Sequence, residues 1–435
     1  MQLVAYGAQD IYLTGNPQIT FFKVVYRRHT NFSMEAIQQT FNGSVGAGPS
    51  TVTSTISRNG DLISNLWLDV KLSAGLKGTA GDLSTTWTNN TGHALIKECE
   101  VEIGGQRIDR HYSQWLDIWN ELTDHDEKEW VGLNKHNASR AYYLSGSSDA
   151  GAMLAQRLYV PLKFWFCRNP GLALPLIALQ YHEVKVKITT RGMAGLVNIV
   201  GWAGTGGLGP KMGGTAAPPT EFNLWADYIY LDTDERRRFA QVSHEYLIEQ
   251  VQRETGAMST NQKLNFNHPV KELVWVVQDN TVATENTSAT AEDVNPLANV
   301  GVTQADKNDY FNYQGNTIDD IEILNGVTSY ETFATAKLQL NGHDRFAARN
   351  ASYFRICQPI QSGHKIPRNK IYNYSFALKP EEHQPSGTCN FSRIDNAKII
   401  FTTAATPSGS TLTVYAVNYN VLRIMSGMGG LAYSN

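Results

Sequence analysis

The chain has 435 residues, of which 42% are hydrophobic, and a formal net charge of −3. This length is too great for one ordinary core and suits two domains of about 200 residues each. The slight negative charge does not favour direct nucleic-acid binding or genome packaging, because proteins with those roles usually carry a basic face.

The first 33 residues form an aromatic-rich arm with a turn at residues 15–17 (Gly-Asn-Pro). The N-terminus lacks a basic region followed by an apolar one, and no run reaches the ~18 apolar residues of a membrane-spanning helix. We therefore expect a soluble protein made in the cytosol and not secreted by the general route. Two interpretations of the arm stay open: it grips a neighbouring molecule, or it folds back onto its own body.

Beyond the arm, short apolar or alternating runs separated by Gly, Pro and Asn predict an all-β protein built from sandwiches or barrels. Helical patterns are few. The better one is residues 233–242, with Thr233 as the N-cap and acidic residues in the first turn, and the other is residues 115–130. The predicted strands are residues 50–57, 62–72, 99–103, 158–166, 177–189, 224–231, 264–277, 337–340, 398–403 and 412–422.

Two similar turns, Gly104-Gly105 and Asn341-Gly342, each interrupt an alternating run as in a β-hairpin and suggest an internal duplication. Other pairs align in the same order at offsets of 208 to 213, whereas the turns lie 237 residues apart. We therefore predict insertions at roughly residues 279–335 of the second copy and 115–156 of the first. The aligned pairs are residues 34–39 with 245–250, 59–70 with 267–277, 160–166 with 372–378, and 183–186 with 396–399.

The boundary between the copies is predicted near residues 236–243, which gives an arm (1–24), a first domain (25–236) and a second domain (237–435). The Gly-rich residues 201–214 precede the last strand of the first copy and are predicted to be a loop. They contain a formal GxGxxG pattern at residues 204–209. The prolines and glycines that follow prevent the helix that a dinucleotide site needs, so a phosphate-binding loop is disfavoured.

Motifs for catalysis are missing from the sequence. The eleven histidines never lie closer than eleven residues apart, and there is no HExxH, GxSxG or P-loop pattern. We expect no enzyme activity, metal or cofactor, although a site built from residues distant in sequence stays open. The four cysteines, Cys99, Cys167, Cys357 and Cys389, lie in apolar surroundings without CxxC spacing and are predicted to be buried free thiols.

The arm, residues 10–32 (DIYLTGNPQITFFKVVYRRHTNF), closely resembles the N-terminal signature of the major capsid proteins of nucleocytoplasmic large DNA viruses. The resemblance continues through residues 101–109 (VEIGGQRID), 170–184 (PGLALPLIALQYHEV), 385–396 and 418–433. It covers essentially the full length and looks closest to the capsid proteins of chlorella-infecting algal viruses.

The resemblance implies a double jelly roll, two tandem eight-stranded antiparallel barrels with few short helices. It further implies a structural protein whose homotrimers are nearly hexagonal capsomers in the icosahedral outer shell of a double-stranded DNA virion, assembled in the host cytoplasm. Neighbouring capsomers and minor capsid proteins would be its partners, with no direct nucleic-acid contact. The arm would lie at the inner face of the capsid, and its candidate contact residues are Asp10, Tyr12, Thr14, Asn16, Phe21, Lys23, Arg27 and Arg28.

The two insertions would crown the trimer or line its interfaces. Relatives in chlorella viruses carry covalent glycans at asparagines outside ordinary sequons. The candidate glycosylation sites are Asn280, Asn286 and Asn299, of which Asn286 begins an ordinary sequon in a polar stretch expected to be exposed. Ordinary Asn-x-Ser/Thr sequons also occur and are attributed to chance. An alternative class, a jelly-roll carbohydrate-binding or hydrolytic protein, is motivated by the nine tryptophans and predicts saturable sugar binding.

Overall fold

The computed structural model describes residues 7–73, 83–88, 90–123, 156–203, 207–209, 217–280, 310–311, 313, 331–367, 369–402 and 409–433. Its first half contains two large antiparallel sheets and a small one, with strands numbered in chain order. One large sheet has the order β1 (Phe32–Gln39), β13 (Glu221–Leu231), β4 (Leu62–Leu72) and β8 (Gln156–Pro161), with β9 (Leu174–Pro175) paired to β4. The other has the order β2 (Phe41–Asn42), β3 (Ser50–Thr55), β10 (Val184–Thr190), β6 (Ile96–Ile103) and β7 (Gln106–Tyr112). The small sheet has the order β12 (Gly207–Gly209), β11 (Val197–Ala203) and β5 (Leu83–Trp87).

The second half contains two further antiparallel sheets. One has the order β14 (His244–Ala257), β23 (Ser410–Met425), β16 (Pro269–Asp279) and β20 (Ile371–Ser375), with β21 (Cys389–Asn390) paired to β16 and β24 (Met428–Leu431) paired to β23. The other has the order β15 (Asn261–Leu264), β22 (Ala397–Thr402), β17 (Thr335–Leu340) and β18 (His343–Asp344), with β19 (Arg349–Asn350) paired to β17.

Both halves have the same topology. The eight principal strands, in chain order, are β1, β3, β4, β6, β7, β8, β10 and β13 in the first half and β14, β15, β16, β17, β18, β20, β22 and β23 in the second. When they are numbered 1 to 8 in each half, the two sheets read 1-8-3-6 and 2-7-4-5 in both. This is the order of a jelly roll, so the predicted double jelly roll is confirmed, with each roll made of two open sheets instead of a closed barrel. We call β1–β13 the first roll and β14–β24 the second roll. The pairs aligned in the sequence fall on equivalent strands of the two rolls.

The two turns that revealed the duplication have the same backbone conformation. Gly104 and Gly105 have φ angles of 60° and 83°, and Asn341 and Gly342 have φ angles of 49° and 84°. Positive φ at both central residues defines a type I′ turn, which favours Asn and Gly and matches the twist of the flanking strands. Each turn joins strands 4 and 5 of its roll.

The second roll has one sheet that is buried on both faces. In β16, Leu273, Trp275 and Val277 belong to the core of the second roll. The intervening Val274 and Val276 belong to the cluster that continues into the first roll. Side chains alternate across a strand, so burial of both faces explains why this strand is a nearly continuous apolar run.

The helices are short: α1 (Ile11–Thr14), α2 (Thr91–Leu95), α3 (Ser113–Thr123), α4 (Trp165–Arg168), α5 (Thr233–Gln241) and α6 (Gln358–Ser362). Single 3₁₀ turns lie at Pro170–Leu172, Met193–Leu196 and Phe391–Arg393, and a π-helical turn at Tyr353–Cys357 precedes α6. The predicted helix at residues 233–242 is confirmed, but its cap was wrong. Asp232 caps it, with a side chain that accepts a 2.8 Å hydrogen bond from Thr233 N.

Several predicted strand limits were also wrong. Strand β8 ends at Pro161, which lacks an N–H for the ladder, and the residues up to 166 turn into α4. The run 264–277 is divided into β15 and β16 because His268 has a φ of 66°, which an extended strand does not allow. The run 177–189 forms a strand only from Val184. Part of the predicted glycine-rich loop pairs as β11 and β12.

The structure also shows where the four cysteines and the two predicted insertions lie. All four cysteines are free thiols. Cys99 is buried as predicted, Cys167 and Cys389 are only partly buried, and Cys357 is exposed, so the predicted burial of Cys357 was wrong. The predicted insertions lie between β7 and β8 and between β16 and β17. Apart from α3 and a few other residues, they fall outside the described part of the chain, as do residues 124–130 of the second predicted helix.

Candidate functional site

The two rolls meet where β7 and α3 of the first roll pack against the outer face of the β14–β23–β16 sheet. Trp115 of α3 stacks at a tilt on Tyr415 of β23, with 5.3 Å between ring centroids. The guanidinium of Arg253 lies 3.6 Å from the centroid of the Tyr112 ring. Large aromatic side chains contribute much of the buried apolar area at such contacts, so this junction fixes one roll against the other.

Polar contacts set the register of the same junction. Gln114 Nε2 donates to Gln278 Oε1 at 2.6 Å, and the Val251 amide donates to Asp109 Oδ1 at 3.1 Å. In addition, Gln250 Nε2 donates to the Ile108 carbonyl. Because an unpaired buried donor or acceptor is costly, these bonds permit little sliding between the rolls.

A cluster of buried charges lies at the edge of the junction. Lys271 is 0% exposed, and its Nζ lies 2.7 Å from Glu249 Oε1 and donates to the Pro380 carbonyl at 2.5 Å. Arg168, from the first roll, approaches Glu249 Oε2 at 2.8 Å and stacks over Trp119 at 4.2 Å. Burial lowers the pKa of Lys271, and the Glu249 carboxylate opposes that effect. Glu249 thus holds one cation from each roll.

His364 forms a second buried charged group next to this cluster. Its Nε2 lies 2.8 Å from Glu272 Oε2 and its Nδ1 lies 2.6 Å from Glu381 Oε1. Burial lowers the pKa of His364, but the two carboxylates outweigh it and raise that pKa from 6.5 to about 9. For Glu272 the signs are reversed. Burial raises the pKa of its carboxyl, but the attraction of His364 outweighs burial and the pKa lies below its ordinary value. Both ring nitrogens therefore donate to carboxylates, as an imidazolium requires.

The C-terminal hairpin, β23–β24, packs against residues 179–182 of the first roll. The Tyr181 amide donates to the Gly427 carbonyl at 3.0 Å. His182 Nδ1 lies 2.9 Å from the Gly429 carbonyl and 3.2 Å from the Gly429 amide, and its tautomer decides which of these two groups it bonds. A Cβ atom on Gly429 would lie only 2.6 Å from Leu179. The hairpin can therefore approach this closely only because glycine stands there.

The arm makes none of these contacts. Tyr12 is 92% exposed and Phe22 is 99% exposed, and Phe21 and Tyr26 are similarly open. The hydrogen bonds that residues 7–31 make reach no further than four positions along the chain. Of the two interpretations left open, folding back onto the body is therefore not observed for these residues.

The sequence-predicted contact residues all lie between residues 10 and 28, before β1 begins at Phe32. Asp10 is partly exposed, and the other seven are exposed: Tyr12, Thr14, Asn16, Phe21, Lys23, Arg27 and Arg28. Of the glycosylation candidates, Asn280 is exposed and its Oδ1 accepts a 2.7 Å hydrogen bond from Thr411. Asn286 and Asn299 lie outside the described residues. The roles assigned to both sets stay predictions.

The charged residues of the junction were missed by sequence reasoning. Lys271 and Glu272 interrupt an otherwise apolar strand, and that interruption was an available signal for buried, paired charges. Their partners Arg168, Glu249 and His364 are scattered through the sequence and carry no such signal. Among the described residues, no group of three or more His, Cys, Asp or Glu side chains is placed to hold a metal ion. No helix in the described ranges is long and apolar enough to cross a bilayer.

Comparison with known proteins gives full-length similarity. The family described as "Major capsid protein N-terminus" matches residues 20–232, and the one described as "Large eukaryotic DNA virus major capsid protein" matches residues 235–430. The major capsid protein of Pyramimonas orientalis virus is 48% identical over 100% of this chain and 99% of its own length. That of Paramecium bursaria Chlorella virus 1 is 45% identical over the same shares. The crystal structure of PBCV-1 VP54, fitted into a cryo-EM reconstruction of the virophage Sputnik, superposes with a TM-score of 0.73 at 40% identity and covers 96% of this chain and 100% of VP54.

Proposed function

This chain belongs to the family of major capsid proteins of large eukaryotic DNA viruses, and from that premise we propose that three copies form one nearly hexagonal capsomer of an icosahedral shell. The observation that carries the proposal is the repeated 1-8-3-6 and 2-7-4-5 strand order. Two rolls of equal topology give three chains six similar units around a three-fold axis, and closed cyclic symmetry is the usual state of homo-oligomers. Hexagonal units tile a surface.

The work of the protein in this proposal is structural and involves no catalysis. The junction between the rolls would hold them at a fixed angle, because its aromatic stacking, register-setting hydrogen bonds and buried ion pairs all link residues distant in sequence. A capsomer needs a fixed angle between the two rolls, because a change of this angle in each chain would distort the outline formed by all six rolls. Contacts with neighbouring capsomers would then repeat by symmetry across the virion shell.

The arm, in the same proposal, lies on the inner side of the shell and meets minor capsid proteins. A neighbour could bind its exposed aromatic side chains and the exposed basic residues that follow them, Lys23, Arg27 and Arg28. Covalent glycans would be carried on the outer insertions, with Asn280 as the described candidate. Assembly would take place in the host cytoplasm.

Electron microscopy of the purified full-length protein tests the proposed function. Class averages should show particles with three-fold symmetry and a nearly hexagonal outline. Light scattering coupled to size exclusion should give the mass of three chains. Particles of single-chain mass at high protein concentration, or averages without three-fold symmetry, would overturn the proposal.

A further inference from the structure

A short piece of the second-roll insertion packs into the core of the first roll. Tyr310, Phe311 and Tyr313 lie between β16 and β17 in the sequence. They are 5%, 1% and 0% exposed and belong to the apolar cluster that contains the core of the first roll. Each buried aromatic side chain removes a large apolar area from water, so this segment is firmly held. We call these three residues the strap.

Both tyrosines of the strap also bond to the first roll. The Tyr310 hydroxyl donates to the Gly195 carbonyl at 2.9 Å, and the Arg191 guanidinium lies 3.8 Å from the centroid of the Tyr310 ring. The Tyr313 hydroxyl donates to Asp117 Oδ2 of α3 at 3.2 Å. Burial raises the pKa of Tyr313 and the Asp117 carboxylate raises it further, so the hydroxyl keeps its proton and remains a donor.

One amide side chain of the second roll joins the strap to the start of α3. Gln278, near the end of β16, donates from Nε2 to the Tyr310 carbonyl at 2.6 Å. Its Oε1 accepts a 2.6 Å hydrogen bond from Gln114 Nε2 of α3. An amide side chain has both donors and an acceptor, so this one residue satisfies both partners. The strap and the first turn of α3 are therefore held at the same point of the second roll.

A second amide side chain has the same role at the end of α3. Asn369 Nδ2 donates to Glu121 Oε1 at 2.8 Å and lies 3.5 Å from the Phe311 carbonyl. The Lys365 amide donates to the Leu122 carbonyl at 2.8 Å, and carbonyls in the last turn of a helix have no partner within it. Helix α3 is thus attached to the second roll at both ends, and the strap shares both attachment points.

The strap and α3 depend on each other. Asp117 is 1% exposed, and the Tyr313 hydroxyl is one of its donors. A buried carboxylate that loses a donor is costly, so without the strap the helix would have to move or admit water. The partners of the strap lie on both rolls, which means that the strap can close only after both rolls have formed.

We propose that the strap is a latch, supplied by the second-roll insertion, that holds α3 of the first roll on the second roll and so fixes the angle between the rolls. The insertion then has a role inside the chain in addition to any exposed surface that it carries. The latch consists of contacts within one chain, so it goes beyond the proposed capsomer and does not depend on the trimer.

Amide hydrogen exchange of the full-length protein, followed by mass spectrometry, tests the latch. In a variant with both Tyr310→Ala and Tyr313→Ala, peptides that cover α3 should exchange at least about tenfold faster, because two buried aromatic side chains are lost. Peptides that cover β6, in the core of the same roll, should change less. Tyr313→Phe removes only the hydroxyl and should accelerate exchange in α3 by about 3- to 10-fold, the effect of one buried hydrogen bond.

Phe401→Leu is the matched control, because Phe401 is buried in the separate core cluster of the second roll. It should lower the melting temperature without changing the exchange of α3 relative to β6. If exchange in α3 rises no more than in β6 in the strap variants, the sheet contact alone holds the helix and the latch is wrong. Tyr313→Phe decides the matter if the double variant fails to fold. Failure of the wild-type protein to form trimers would refute the proposed function and leave the exchange result unaffected.

Discussion

Gly104 and Gly105 occupy the same turn but have different surroundings. Both have positive φ, at 60° and 83°. A Cβ atom on Gly104 would lie 2.4 Å from His182 Nδ1, whereas one on Gly105 would meet open space. The first glycine is therefore required by the backbone and by packing against the His182 ring, and the second by the backbone alone.

Substitution with alanine separates these two requirements. Gly105→Ala should lower the free energy of unfolding by about 1 kcal/mol, the cost of a left-handed conformation. Gly104→Ala should cost an additional ~1 to 3 kcal/mol because the His182 ring must move. Urea denaturation of both variants measures the difference. Gly342→Ala, in the equivalent open turn, is the control and should match Gly105→Ala. Equal losses at both positions of the first turn would contradict the packing argument.

His364 makes stability depend on pH. Its folded pKa of about 9 exceeds the ordinary value of 6.5, so the folded state holds this proton more tightly than the unfolded state. The resulting stabilisation is fully present below pH 6.5 and is lost as the pH rises through about 9. The change corresponds to about 3 kcal/mol.

His364→Gln should remove this part of the pH dependence. We expect the variant to be less stable than the wild type at pH 6.5 and to lose less stability between there and pH 9, since Gln does not titrate. Thermal melts across this range give the slopes. His343→Gln, at an exposed histidine, serves as the control and should keep the wild-type slope. An unchanged slope in His364→Gln would show that another group is responsible.

Individual elements were predictable from sequence where local signals agreed. Strand β4 was predicted with its observed limits, because its apolar run is bounded by turn residues on both sides. The Gly-containing turns were recognisable because a type I′ turn demands particular residues. Strand β8 was predicted too long because the apolar residues after Pro161 continue the pattern although they pack as α4. A buried helix and a buried strand can both have a short apolar run, so such a run does not distinguish the two.

The junction could not be predicted, for a physical reason. Glu249 meets Lys271 and Arg168 only after both rolls have folded, and ion pairing depends on distance in space and not along the chain. Sequence showed the two rolls to be alike, and only the folded structure shows which of their surfaces meet at the junction.

The C-terminal hairpin is an element whose contribution can be removed cleanly. Truncation after Met425 deletes β24 together with the bonds from Gly429 to His182 and from Tyr181 to Gly427. The truncation also deletes the hydrogen bond from Leu431 N to Gln106 Oε1. Loss of three hydrogen bonds and of the apolar contact with Leu179 predicts a loss of about 2 to 4 kcal/mol. Calorimetry should show a lower melting temperature. Truncation after Tyr433, which keeps the hairpin, should change little, and equal melting temperatures would refute a clasping role.

At the scale of the whole molecule, the topology gives the chain two distinct ends. The turns between strands 4 and 5, the C-terminal hairpin and the exit of the arm from β1 lie at one end of the rolls. The connections that leave β7 and β16, which contain the predicted insertions, start from the opposite end, because neighbouring strands are antiparallel. This polarity is what an inward arm and outward insertions would require.

Deletion of residues 1–24 tests whether the arm belongs to the folded body. Because the described arm residues are exposed and hydrogen-bond only to near neighbours, the shortened chain should keep its melting temperature and its trimeric mass. Calorimetry and light scattering measure both, and the truncation after Met425 provides the contrast of a terminal segment that is packed. A fall in melting temperature comparable to that contrast would mean that the arm folds onto its own body after all. A loss of trimers at unchanged monomer stability would instead place the arm between copies.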